Sequence, residues 1–182
     1  MPFEHSAVKI EDEFTEEHGS YINASHIHCP LSATSNELIG TQSPLPTTVH
    51  NFWRMIWAQK VFLIVMLCNP KTENNRCLNY YSRGQTHGSF TTEVVSDIRM
   101  NESVFKVTLK LIKKDPETGK KTSRLVEHLR FEKWPDHGVP GPKYHRDLAH
   151  LPWHMVLKRE ETKSDAPIVT HCSAGVGRSG TI

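Results

Sequence analysis

Residues 166–170 (APIVT) are a short apolar segment that runs without a break into a loop holding Gly175, Gly177 and Gly180. A buried strand that empties into a glycine-rich loop constrains this chain's fold more than any other feature. Such a loop gathers backbone N–H groups at one end of a sheet and usually opens a helix. A second apolar run, residues 61–68, is eight residues long. It is too short to cross a bilayer and the right length for a buried strand. The 182 residues make one domain of ordinary size rather than two.

Between these runs the patterning is readable. Val49, Phe52, Trp53, Ile56 and Trp57 recur at helical spacing and predict one amphipathic helix, with Thr47 or Thr48 as its cap. In residues 103–113, Phe105, Val107, Leu109 and Leu111 alternate with polar side chains. Asp115-Pro116-Glu117-Thr118-Gly119 is turn chemistry, and residues 122–131 return as a second strand. Residues 143–159 predict a helix with Leu148, Leu151, Met155 and Val156 on one side and a break at Pro152. The acidic stretch 11–17 and the basic stretch 106–130 read as solvated faces. A net charge of +2 gives no global electrostatic case for nucleic acid or a membrane surface. The first ten residues lack the pattern of a signal peptide. Four cysteines are no disulfide framework, so a reducing, cytosolic setting is the expectation, with Cys29, Cys68 and Cys77 as small core residues.

Cys172 has different neighbours. Gly175, Gly177 and Gly180 satisfy a dinucleotide fingerprint, but that fingerprint has no use for a Cys before its first Gly or an Arg inside it. A second reading uses every residue. Cys172 and Arg178 enclose five residues, a loop short enough to curl around a phosphate-sized anion with its N–H groups inward. The same groups favour a thiolate. Arg178 can grip two phosphate oxygens with its planar fork. His171 can fix the Cys172 backbone, and Ser179 can donate to the sulfur.

The run HCSAGVGRSGT, from His171 to Thr181, resembles the signature loop of the phosphotyrosine-specific protein tyrosine phosphatases. Trp134-Pro135-Asp136-His137-Gly138-Val139-Pro140 is similar to that family's mobile acid loop. Tyr21-Ile22-Asn23-Ala24-Ser25 is similar to an N-terminal structural motif, and residues 42–57 to the family's long helix and lead-in. The signature loop alone also suits dual-specificity phosphatases; the other three segments favour the tyrosine-specific branch. The resemblance implies an α/β fold, a twisted mixed β-sheet flanked by helices, in one partial domain over residues 1–182 that is incomplete at its C-terminus.

It also implies hydrolysis of phosphotyrosine in proteins. Cys172 would be the nucleophile, forming a phosphocysteine intermediate. Arg178 and the amides of Ser173, Ala174, Gly175, Val176, Gly177 and Arg178 would bind the phosphate. Asp136 would act as general acid and then base, on a loop with Trp134, Pro135 and His137 that opens and shuts. No cofactor and no metal are implied. The partners would be phosphotyrosine-containing proteins, met in the cytoplasm or on the cytoplasmic side of a receptor-type parent, with any membrane span outside this segment.

The sequence departs from the family pattern in places. The family's substrate-recognition tyrosine would lie before Met1, and the helix after Thr181 and a later glutamine loop would lie beyond Ile182. The chain is therefore read as a fragment, of low activity by itself. The spacing from Glu73 to Cys77 looks short beside the family glutamate that holds the loop arginine, so Glu73 is left without a role. Tyr81 stands where a Trp is usual. The other reading is a phosphotyrosine-binding pseudophosphatase, which loses its acid, its Cys or its Arg; Asp136, Cys172 and Arg178 are all present. His26-Ile27-His28-Cys29 and the pair His150/His154 have possible ligand spacing, but no carboxylate or Cys pair completes either set.

Overall fold

The two apolar runs become neighbouring parallel strands. The computed structural model describes residues 1–28, 38–73 and 76–182. Along the chain these form β1 (Ala7–Lys9), a short α1 (Thr15–His18), β2 (Tyr21–Ile27), β3 (Leu38–Thr41) and α2 (Val49–Ala58). Then come β4 (Leu63–Met66), β5 (Gln85–His87), β6 (Phe90–Arg99), β7 (Val104–Lys114), β8 (Lys121–Phe131), α3 (His145–Thr162) and β9 (Ile168–His171). The described strands make one sheet in the order β1-β2-β3-β9-β4-β8-β7-β6-β5. Its centre, β3-β9-β4-β8, is parallel and both flanks are antiparallel. The twisted mixed sheet is the architecture the sequence implied.

Strand periodicity divides the core. Ile64 and Met66 of β4 join Phe52, Trp53 and Ile56 of α2, while Leu63, Val65 and Leu67 join Leu151 and Met155 of α3. Each helix therefore covers one face. The expected α2 stripe is buried except for Trp57, which is half-buried. Thr48 stands at the N-cap, but its hydroxyl accepts from the Leu45 N–H and caps nothing. A lost cap costs about 1 kcal/mol. Burying Phe52, Trp53 and Ile56 yields about 1.5–3 kcal/mol each, so packing holds this helix.

The long hairpin forms as patterned, with Val104 opposite Phe131 and Lys114 opposite Lys121. Asp115 Oδ1 accepts from the N–H groups of Glu117 and Thr118, and Gly119 takes a φ of +69°.

Three expectations are corrected. The helix does not break at Pro152; α3 runs through it. Pro152 is exposed, so the hydrogen bond it forfeits is lost on the solvent side while Leu151 and Met155 stay docked. Val156 turns out to be exposed. The acidic stretch is not wholly solvated either. Asp12 accepts from Arg54, which is fully buried on α2, and Phe14 is core. Among the described residues no helix is long and apolar enough to cross a membrane.

Candidate active site

Strand β9 lies between β3 and β4, so the loop that leaves it emerges at the carboxyl edge of three parallel strands, where α/β sheets place their ligand sites. Pairing of Thr41 with His171 brings the turn after β3 against this loop. Ser43 N–H donates to the Ser173 carbonyl. Gly175 presses on Thr41: a Cβ there would stand 2.2 Å from the Thr41 carbonyl oxygen, and its φ is +76°. Only glycine fits that approach. Asn23 of β2 ties in the same corner through Gln42.

The loop curls around the Cys172 sulfur. The Gly175 N–H donates to Sγ at 3.2 Å. Burial pushes the thiol up, and this is outweighed by the Ser179 hydroxyl and N–H, the Gly175 N–H and the Arg178 charge, so Cys172 ionises below the ordinary thiol value. Ser179 Oγ is buried without an aligned hydrogen-bond partner, so its help is that of a nearby dipole. Ser179–Thr181 form a 3-10 turn. Val176 and Gly177 are exposed at the rim.

Arg178 is the centre of the site. Nη1 donates to Glu73 Oε1 at 2.6 Å and to the Trp134 carbonyl at 3.2 Å; Nη2 donates to Glu73 Oε2, to Ser173 Oγ at 2.8 Å and to Asp136 Oδ1 at 3.4 Å. Glu73, given no role from its spacing, thus holds the loop arginine, and that reading is corrected. Glu73 lies on the segment after β4, and the parallel pairing of β4 with β9 sets both at the same sheet edge.

The segment with Asp136 closes over this centre. Trp134 is buried, and its indole N–H donates to the Gly138 carbonyl across the loop. His137 takes a left-handed φ of +56° and is exposed. Asp136 Oδ2 stands 2.8 Å from Arg76 Nη2, a contact between charges without aligned hydrogen-bond geometry. Asp136, Pro135, Cys172, Ala174 and Arg178 line one cavity of about 470 Å³.

Behind the sulfur, side chains that sequence reasoning missed fix His171. Its Nδ1 faces the Cys172 carbonyl at 3.1 Å, and a carbonyl only accepts, so Nδ1 carries the proton. Nε2 must then accept from the Tyr80 hydroxyl at 2.6 Å, and Tyr80 in turn accepts from His128 Nε2 at 2.7 Å. All three side chains are fully buried. Burial holds His171 down to about 4 and His128 well below the ordinary value, so both imidazoles are neutral. No signal in the sequence joins Tyr80 or His128 to the loop.

His154 pairs with Glu127, and Cys29 lies outside the described residues. Among the described residues, no three of His, Cys, Asp and Glu are placed to hold a metal ion.

Residues 1–182 match the family model described as Protein-tyrosine phosphatase. Receptor-type tyrosine-protein phosphatase V of Rattus norvegicus is 36% identical over 187 residues, which cover 100% of this chain and 10% of that protein. Tyrosine-protein phosphatase non-receptor type 13 of Homo sapiens is 35% identical, over 100% of this chain and 7% of its own length. The chain therefore spans a tenth or less of these two curated relatives. Among solved structures, the catalytic domain of human protein tyrosine phosphatase non-receptor type 18 superposes with a TM-score of 0.78 at 32% identity, covering 99% of this chain and 62% of that one. Another structure of PTPN18, from work on HER2 tyrosine phosphorylation sites, gives 0.81 at 31% identity, covering 99% of this chain and 61% of that one.

Proposed function

Because the chain belongs to the protein-tyrosine phosphatase family, we propose that it hydrolyses phosphotyrosine in proteins through a phosphocysteine intermediate. The observation that carries this reading is the convergence of Cys172, Arg178 and Asp136 on one cavity. A thiolate at the base of an amide-lined loop is a nucleophile facing an anion site. Cys172 Sγ attacks phosphorus and the bond to the tyrosyl oxygen breaks. Asp136 supplies the proton that this poor leaving group needs. Water then attacks phosphorus with Asp136 as base, and Cys172 leaves. Arg178 and the amides of Ser173, Ala174, Gly175, Val176, Gly177 and Arg178 stabilise the equatorial oxygens throughout.

The Arg178 nitrogen that contacts Asp136 and Ser173 is the one that can exchange them for phosphate oxygens, while Glu73 keeps the guanidinium plane in place. Structures of PTPN18 in complex with HER2 phosphopeptides support a phosphotyrosine peptide as the substrate class. A reducing, cytoplasmic setting suits a mechanism that depends on a free thiolate.

The test is hydrolysis of a phosphotyrosine peptide, compared with Cys172→Ser and Asp136→Ala. Cys172→Ser should abolish turnover and retain peptide binding, because a serine hydroxyl is not ionised near neutral pH while the anion site persists. Asp136→Ala should lose on the order of 10²–10⁴ in rate on phenolic phosphates and less on esters with weakly basic leaving groups. Peptide binding without any turnover by the unsubstituted chain would instead support the pseudophosphatase reading or the low activity expected of this chain by itself.

A further inference from the structure

Cys68 and Cys77 are more than ordinary core thiols. Their sulfurs stand 3.1 Å apart. Non-bonded carbon atoms pack at roughly 3.5–4.0 Å, and sulfur is the larger atom. Both residues are buried and neither is in a disulfide. Cys68 follows β4, and Cys77 closes the segment that carries Glu73 and Arg76. The pair thus clasps the base of the segment that grips Arg178 and contacts Asp136.

We infer that Cys68 and Cys77 are a modification site, converted by a peroxide to a disulfide that closes this segment covalently, independently of Cys172. A disulfide needs about 2.05 Å between its sulfurs, so the pair must close by only about 1 Å. Cys77 Sγ attacks one oxygen of hydrogen peroxide; the O–O bond breaks and water leaves with the thiol proton, giving a sulfenic acid. Cys68 Sγ then attacks Cys77 Sγ; the S–O bond breaks, a second water leaves with the Cys68 proton, and the S–S bond forms. The two thiols lose two electrons and two protons, and the peroxide takes them up as two waters. Cys77 is suited to the first step. Donation from Cys68 holds it below the ordinary thiol value, outweighing burial, whereas that same bond and burial push Cys68 up. The inference stands whether or not the chain hydrolyses phosphotyrosine.

The test exposes the unsubstituted protein and Cys172→Ser to hydrogen peroxide, alkylates remaining thiols under denaturing conditions, and maps peptides without reduction. Expected in both is one Cys68–Cys77 linked peptide pair, lighter by two hydrogens than the two thiol peptides and absent after dithiothreitol. Cys77→Ala should leave Cys68 alkylated. Alkylation of both Cys68 and Cys77 after peroxide, or a link from either to Cys29 or Cys172 in its place, overturns the inference.

Discussion

Glu73 accepts both terminal nitrogens of Arg178, Oε1 from Nη1 at 2.6 Å and Oε2 from Nη2 at 3.2 Å, between side chains only 2% and 7% exposed. Two hydrogen bonds to one carboxylate hold the planar fork in place.

Removing one partner of such a pair leaves a buried charge uncompensated, at a cost of about 3–5 kcal/mol. The Trp134 carbonyl and Ser173 hydroxyl retain Arg178 in part, so Glu73→Ala should fall at the lower end of that range. Glu73→Gln keeps the shape and one acceptor, and should cost less. Denaturant midpoints measure both. A Glu73→Ala midpoint equal to that of the unsubstituted protein would remove Glu73 from this role.

Arg76 makes a different kind of contact with Asp136. Its side chain is 55% exposed, so Arg76→Ala should change stability by less than about 0.5 kcal/mol. If the contact holds the acid loop over the cavity, turnover of an aryl phosphate should drop several-fold to about 10²-fold. Arg76→Lys should recover part of the loss. Unchanged kcat with Ala would show that the loop is held by Trp134 and Arg178 alone.

Gly175→Ala should be severe. The added Cβ meets the Thr41 carbonyl at 2.2 Å, which is backbone on β3 and cannot step aside, and the positive φ adds strain. A cost of about 1–3 kcal/mol from each source is the expected scale. Gly177→Ala meets nothing within 4 Å and serves as the control. Equal midpoints for the two variants would contradict the packing of this loop against Thr41.

The buried imidazoles make stability depend on acid. Unfolded histidine binds its proton near 6.5, and folded His171 only at about 4. Between these values the unfolded chain holds more protons, so stability falls as pH falls through this window. His128 acts in the same direction. From pH 6.5 to 5 the His171 imidazole should cost roughly 1.5 kcal/mol, at 1.36 kcal/mol per unit. Chemical denaturation at pH 7 and pH 5 measures this, and a flat midpoint would mean that both rings are solvated.

Much of the site was legible because its chemistry is local. Cys172, Gly175 and Arg178 lie within seven consecutive residues, so loop closure and amide direction follow from backbone preferences of neighbours. The α2 stripe and the turn from Asp115 to Gly119 were legible for the same reason: helical period and turn geometry act over a few residues. Pro152 was misjudged because a local rule was overridden by docking of Leu151 and Met155, which only the sheet provides.

Glu73 and Arg178 are 105 positions apart, and Tyr80 meets His128 and His171 across 48 and 91. No periodicity reaches that far. The order of strands decided all of these contacts. By inserting β9 between β3 and β4, the fold brings the segments after three separate strands to one edge. Local propensities determine strands and loops, but the pairing that buries the most apolar surface determines which loops become neighbours, and so which side chains meet at Arg178.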